Sequence, residues 1–315
     1  MMVRPVRRDF EQLEWGSALE AQCRRLVQEA VREDLDRFYD WTTLALVPEE
    51  AQASAAVVAR QAGVVAGLPA AVIVLDEYDR RLAWHPTATD GQSIRAGQCV
   101  ARVEGPARSL LTAERPLLNL LGHLSGIATL TAQYVEAVRS TVARVYDTRK
   151  TLPGWRWLEK YAVRAGGGHN HRLGLYDAIL IKDNHLACGA AAEGTARFTP
   201  AEAVARARTF AQAMGCGGSD APIIEIEVDS LDQLAGVLAA APDLVLLDNF
   251  TPAELQAAVH LRDERGVQVE LEASGGVRLE TIAAIAASGV ERISVGALTH
   301  SARWFDFGLD WEVSG

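Results

Sequence analysis

Residues 147–185 read DTRKTLPGWRWLEKYAVRAGGGHNHRLGLYDAILIKDNH. This stretch crowds Arg149, Lys150, His171, Arg172, Lys182 and His185 into one short span. Unpaired buried charge is costly, so these cations do not read as ordinary core. Two neighbours place them. Ala178, Ile179, Leu180 and Ile181 form a short apolar run that ends directly in Lys182, and the apolar run 142–146 ends just before Arg149 and Lys150. Short apolar runs of this kind are buried strands, and α/β folds put their ligand sites at the carboxyl ends of such strands. The span therefore reads as an anion-binding site rather than a solvated basic face.

Downstream the chain alternates strand and helix. The pattern predicts strands over 142–146, 178–181, 223–228, 244–247, 267–271 and 293–295. Helices are predicted over 155–165, 200–214, 231–241, 252–265 and 279–287. Near-continuous apolar strands alternating with helices mean a parallel sheet covered on its faces. Every predicted strand is closely followed by a polar or glycine signal: Arg149 and Lys150, Lys182 and Asp183, Glu227 and Asp229, Asp248 and Asn249, Ser274 and Gly275, and Gly296. An open sheet concentrates its site at one switch point, whereas a closed barrel uses all its strand ends. The pattern favours the barrel. The 215–219 stretch, GCGGS, reads as a flexible turn.

Upstream, Leu19, Cys23, Leu26, Ala30 and Val31 share one stripe of a predicted helix over 18–35, with Arg32, Glu33 and Asp34 on its solvated face. Asp40, Thr42 and Thr43 read as a loop. Strands are expected over 55–60, 64–66 and 98–103, with a helix over 68–77 carrying Pro69 in its first turn. A long helix is predicted from Pro116 onward, which puts Arg115 at a helix start. There it is either a surface residue or a cation that meets an anion which the helix start also favours. A domain boundary is expected near 138–142.

The composition narrows the function. The chain has 315 residues, 49% of them hydrophobic, with a formal net charge of −10 and a sequence pI near 5.3. An acidic chain is poorly suited to general nucleic-acid binding, which rests on phosphate neutralisation. A local basic cluster on an acidic protein suits a small anionic ligand. Cys23, Cys99, Cys188 and Cys216 are scattered without a CxxC pair, which signals neither a zinc site nor a disulfide framework. The first fifteen residues carry positive charge but no apolar core of a secretory signal, and no apolar run is long enough to span a bilayer. A cytoplasmic setting is expected, with neither membrane nor nucleic acid as a partner.

Individual residues carry alternatives. The glycine run 166–168 is either a phosphate cradle or a plain loop. His169 and His171 lack a third ligand at metal spacing, so hydrogen bonding or phosphate contact is expected of His171. The SGG at 274–276 and the SVGALTH at 294–300 sit on consecutive predicted strands, and together they favour a phosphate site over two plain turns. Glu227 and Asp248 end neighbouring strands as an acid/base couple, a metal or ribose-hydroxyl site, or structural partners of the cations. Glu225, two residues before Glu227, points to the same side. Lys182 alone also permits a Schiff-base, aldolase-like reading.

The 147–185 stretch resembles the signature of the quinolinate phosphoribosyltransferases. The resemblance continues in IIEIEVDSLDQL (223–234), LVLLDNF (244–250), LEASGGV (271–277) and SVGALTHS (294–301). It extends back to AERPLLNLLGHLSGIAT (113–129) and, more weakly, to VREDL (31–35). It implies a TIM-like α/β barrel over 141–300 and an N-terminal α/β sandwich domain over 1–140, rejoined by 301–315. It further implies transfer of phosphoribose from phosphoribosyl pyrophosphate to quinolinate, giving nicotinate mononucleotide, pyrophosphate and CO2, with Mg2+. The assembly implied is a homodimer, or a higher even oligomer, with shared active sites. Arg115, Arg149, Lys150, His171, Arg172 and Lys182 match the family's cationic pocket. Glu227 and Asp248 match its acidic pair near ribose and metal, holding the metal directly or indirectly. Ser274, Gly275 and Gly296 match its 5′-phosphate loops. Lys150, Glu227 and Asp248 are the expected catalytic residues. Leu152 departs from the family pattern, which more often has Thr, and 36–40 lacks its usual glycines. A related transferase with another acceptor, or a non-catalytic phosphate-sugar binding protein, are the rival readings; the second has no need of both Glu227 and Asp248.

Overall fold

The computed structural model describes residues 9–37, 39–191, 197–216 and 221–312. Residues 217–219 of the expected flexible turn, residues 1–8, and Phe38 of the altered segment lie outside these. In chain order the elements begin with α1 (Ser17–Leu35), α2 (Trp41–Leu46), β1 (Gln52–Ala59), β2 (Gly63–Val64) and α3 (Leu68–Tyr78). Next come β3 (Ala83–Pro86), β4 (Ser93–Ile94), β5 (Cys99–Pro106), α4 (Ala107–Val138), β6 (Arg144–Tyr146) and α5 (Arg156–Ala165). The alternating part has β7 (Ala178–Ile181), α6 (Asp183–Ala191), α7 (Pro200–Ala213), β8 (Ile223–Val228), α8 (Leu231–Val237), β9 (Leu244–Asp248) and α9 (Pro252–Glu264). It ends with β10 (Glu270–Ser274), α10 (Leu279–Ala286), β11 (Arg292–Ser294), α11 (Ala297–His300) and β12 (Phe307–Glu312).

The chain forms two compact units. One holds residues 13–133, 150–168 and 298–315; the other holds 1–12, 134–149 and 169–297. In the first, an antiparallel sheet runs β12-β1-β5-β3. Leu19, Cys23 and Val27 are the buried stripe of α1. The chain end returns as β12 to pair with β1. Two glycines of α4 allow its approach: a Cβ on Gly126 would lie 2.1 Å from the Arg303 carbonyl oxygen, and one on Gly122 would lie 2.8 Å from that of Phe305.

Two expectations fail in this unit. The loop at Asp40–Thr43 is instead the start of α2: the Asp40 carboxylate accepts the Thr43 backbone N–H at 3.0 Å, a cap that satisfies an otherwise orphan donor. The long helix starts nine residues before Pro116, directly after β5, so Pro116 lies inside it. Arg115 is thus an exposed mid-helix residue, and the helix-start argument for an anion there falls.

In the second unit a parallel sheet runs β6-β11-β10-β9-β8-β7. From β7 to β11 each strand lies beside its sequence neighbour, and the last, β11, returns beside the first, β6. That cyclic order is a barrel's, with its seam between β6 and β7, where His169 makes one parallel bridge to Tyr146. The barrel expected from the strand ends is the fold that forms. Its helices start on designed caps: Thr199 and Glu202, and Thr251 and Glu254, form reciprocal capping boxes at α7 and α9.

The registers show which side chains share the barrel interior. Side chains in register across parallel strands lie on the same face, and the face alternates along each strand. Glu225 is level with Leu180 and Leu244, Leu244 with Glu270, Leu246 with Glu272, and Asp248 with Ser274. Glu272 is in turn level with Arg292, which faces Arg144. One face thus carries Arg144, Tyr146, Glu225, Glu227, Asp248, Glu270, Glu272, Ser274, Arg292 and Ser294. The other carries Val145, Ile224, Ile226, Val228, Val245, Leu247, Leu271, Ala273 and Ile293, all buried. The wholly apolar face meets the helices, and the interior sets these charged and polar groups among Leu180, Leu244 and Leu246. The strand expected over 267–271 is shifted to β10, which places Glu270 and Glu272 inside the barrel.

Candidate active site

The polar interior is stacked in three layers. At the floor, the Arg292 side chain is fully buried and pairs with Glu270 at 2.5 Å and Asp9 at 3.0 Å. Arg144 bridges the same two acids, each at 3.1 Å, and the Tyr146 hydroxyl donates to Asp9 at 2.8 Å. Buried charges persist only when paired in this way.

The middle layer is His171 with Glu225 and Glu272, and both glutamates have no exposed surface. His171 Nε2 lies 3.1 Å from Glu225 and 3.5 Å from Glu272. Phe10 stacks on the imidazole at 4.3 Å between centroids. Burial alone would drive a proton off this ring. The charges of Glu225 and Glu272 oppose this and favour a proton on the Nε2 edge that faces them. The Arg172 backbone N–H donates to Nδ1 at 2.8 Å, so the ring's proton sits on Nε2, facing the carboxylates. These three side chains converge as metal ligands do, within 4.8 Å of one another. With Nε2 turned to the two carboxylates, the three side chains form a hydrogen-bonded cluster.

The top layer is the mouth. Lys182, just past β7, forms an ion pair with Glu227 of β8. Asp248 ends β9, half-buried, and accepts from the Asn249 side chain at 2.8 Å. Ser274 ends β10 and Gly275 follows it. A Cβ on Gly275, whose φ is +98°, would lie 2.2 Å from the Asn249 side-chain oxygen, so only glycine fits this turn. Gly296 follows β11 in the turn before α11. Arg149 lies past β6, partly buried, in the same unit. Buried Asp147 holds the segment opposite, accepting the His171 N–H at 2.9 Å and the Asn170 amide at 2.7 Å. Arg172 is buried as well. Burial first, and then the nearby charge of Arg149, lower its proton affinity.

Of the expected site residues, Arg149, His171, Arg172, Lys182, Glu227, Asp248, Ser274, Gly275 and Gly296 all belong to the barrel unit, while Arg115 and Lys150 belong to the other. Lys150 is exposed, and its backbone carbonyl accepts from Thr299 at 2.7 Å. Arg115 lines a cavity of about 320 Å³ together with Leu152, His123, Trp155 and Trp304. The glycine run is a packing device. A Cβ on Gly166 would lie 2.4 Å from the Ala128 carbonyl oxygen, and one on Gly168 would lie 2.7 Å from Thr131. Sequence reasoning missed Asp9, Phe10, Glu272 and Arg292. The signal for Glu272 was present in the alternation ELEAS of β10, obscured because barrel interiors are expected to be apolar.

This arrangement defines an α/β-barrel enzyme whose mouth sets cations against carboxylates over a charged interior. The comparisons with known proteins agree. Residues 40–125 match the family model for the quinolinate phosphoribosyl transferase N-terminal domain, and residues 127–310 match that for the C-terminal domain. The chain is 47% identical over 292 residues to the nicotinate-nucleotide pyrophosphorylase [carboxylating] of Mycobacterium leprae, covering 91% of this chain and 96% of that one. It is 35% identical over 299 residues to quinolinate phosphoribosyltransferase [decarboxylating] 1b of Nicotiana tabacum, covering 90% and 81%. The solved nicotinate-nucleotide pyrophosphorylase of Francisella tularensis superposes with a TM-score of 0.84 at 34% identity, covering 96% of this chain and all (100%) of that one. The chain belongs to the quinolinate phosphoribosyltransferase family.

Proposed function

We infer that this chain transfers the phosphoribosyl group of phosphoribosyl pyrophosphate to quinolinate, releasing pyrophosphate and CO2 and forming nicotinate mononucleotide, a step of NAD biosynthesis. The observation that carries the reading is the set of cations and carboxylates at the barrel's strand ends: Lys182 past β7 paired with Glu227 of β8, Asp248 ending β9, and Arg149 past β6. Quinolinate has two carboxylates and its co-substrate is a polyanion, so cations must converge although the protein is acidic overall. The pyridine nitrogen attacks C1 of the ribose as the bond to pyrophosphate breaks, and positive charge develops on the sugar. Glu227 and Asp248 stabilise that charge, and Lys182 holds Glu227 in place. When the adjacent carboxylate leaves as CO2, its bonding electron pair stays on the ring carbon, where the neighbouring pyridinium nitrogen stabilises it, and that carbon then takes up a proton. Ser274, Gly275 and Gly296 receive the 5′-phosphate.

Mg2+ fits this mouth. The donors of Glu227 and Asp248 are hard carboxylate oxygens, both side chains are only partly buried, and such ions keep several waters and substrate oxygens as ligands. Glu227 and Asp248 would hold it, and its chemistry there is neutralisation of pyrophosphate charge. The assembly proposed is a homodimer, or a higher even oligomer, with shared active sites, in the cytoplasm; among the described residues no helix is long and apolar enough to cross a membrane.

The test is direct. Purified protein with quinolinate, phosphoribosyl pyrophosphate and Mg2+ yields nicotinate mononucleotide. Nicotinic acid, lacking one carboxylate, is not used, because it leaves a buried guanidinium unpaired. Comparable turnover of nicotinic acid, or none of quinolinate, overturns the reading.

A further inference from the structure

His171 is matched to the cationic substrate pocket, yet its ring is enclosed by protein on three sides. Phe10 covers one face, with an interplanar angle of 29°. Glu225 and Glu272 receive the Nε2 edge, and the Arg172 N–H occupies Nδ1. Both ring nitrogens thus point at protein atoms. Arg172 is tied to the same ring through its main chain, and its guanidinium is the group that responds to Arg149.

Phe10 is itself held in place. Its N–H donates to Asp9 at 2.9 Å, and Asp9 is locked to Arg144, Arg292 and Tyr146 in the barrel floor. Two residues on, Gln12 exchanges two hydrogen bonds with the Asn170 backbone, at 2.8 and 3.0 Å. Residues 9–12 therefore plug the barrel, although both family-matched segments begin after them, at 40 and 127. The four carboxylate oxygens of Glu225 and Glu272 are buried, and His171 is the group set against both side chains. Two acids in a barrel core are a costly way merely to fill space, since apolar residues of similar volume serve as well or better.

We propose that Phe10, Glu225 and Glu272 are positioning residues of the acceptor site: they fix the His171 ring, and through the Arg172 N–H bonded to it they aim the Arg172 guanidinium at a carboxylate of the acceptor. The inference rests on the acceptor being a pyridine dicarboxylate. Its signature is selective. Orientation of Arg172 governs acceptor binding, while the 5′-phosphate loops and Glu227 and Asp248 are carried by other strand ends, those of β8 to β11.

The experiment compares wild type with Phe10→Leu and Glu272→Gln, either of which decides the matter alone. Each variant should raise the KM for quinolinate by about tenfold, the scale of one misaligned charged contact. KM for phosphoribosyl pyrophosphate and kcat should stay within about twofold. KM does not depend on the fraction of enzyme that folds, so lost yield cannot imitate the result. Glu272→Ala, which leaves no acceptor oxygen, should exceed Glu272→Gln, which keeps one. A quinolinate KM unchanged in either variant, or a parallel rise in both KM values, overturns the proposal. A second readout needs no substrate. The 15N spectrum of histidine-labelled wild type should show His171 protonated at Nε2 with Nδ1 as a hydrogen-bond acceptor, and Phe10→Leu should broaden or shift those signals. A ring protonated at Nδ1, or signals indifferent to Phe10, overturns the proposal whatever the acceptor. Wild type inactive on quinolinate, with the ring as described, would instead refute the assigned reaction alone.

Discussion

Lys182 and Glu227 form an ion pair across the carboxyl ends of two neighbouring parallel strands, β7 and β8. A lysine from one strand end thereby orients a carboxylate at the next. Glu227→Ala and Asp248→Ala should each lower kcat more than they raise KM, since their stabilisation is realised in the transition state. Arg172→Ala should act mainly on quinolinate KM. The double variant Lys182→Ala/Glu227→Ala should lose less kcat/KM than the two single losses combined, by about 1–2 kcal/mol. Strict additivity would show that the two side chains act separately.

A second expectation concerns assembly. If each site of a two-fold dimer takes Arg115 from one chain and Lys150 from its partner, Arg115→Ala and Lys150→Ala are each nearly inactive. Unfolded together and refolded as a mixture, about half the dimers are mixed, and each mixed dimer has one intact site and one with both lesions. Activity should return to about a quarter of wild type, given independent sites. A refolded mixture as inactive as its parents, with mixed dimers confirmed by native mass spectrometry, would rule the shared site out.

The barrel floor makes a stability prediction. Arg292 has no exposed side-chain surface and relies on Asp9 and Glu270. Asp9→Ala removes one of its two acids and one partner of Arg144, and should cost about 3 kcal/mol, the scale for breaking a buried ion pair from one side. Urea unfolding monitored by circular dichroism measures it. A loss within experimental error would mean that Glu270 alone compensates both arginines.

The cysteines differ in reactivity for a physical reason. Cys23 is fully buried in the stripe of α1, and burial pushes its thiol up to about 12. The thiolate is the reactive form, so Cys23 should resist a disulfide reagent at pH 8 until the protein unfolds, while exposed Cys188 reacts at once. Rapid native labelling of Cys23, located by peptide mapping, would contradict the burial.

Strand positions and the mouth residues were legible in the chain because a buried strand ending in Lys182, Glu227 or Asp248 leaves a local mark: an apolar run with a charge at its end. α2 was not legible, because a six-residue helix rests on one cap, Asp40 to Thr43, and has too little apolar periodicity to announce itself. The start of α4 was misplaced for a related reason: a proline is a good start signal but not a binding one, and β5 leads straight into the helix.

The sequence by itself determined the alternation of elements, the cations and acids of the mouth, and the family. Only the tertiary structure decided what lies beneath them. Asp9 meets Arg292 across 283 positions of chain (292 − 9), and Phe10 covers His171 across 161 (171 − 10). No local pattern encodes such pairs. Their energy exists only once the closed barrel has removed water from Arg292, Glu225 and Glu272, so that each buried charge must find its partner among whatever residues the fold brings there.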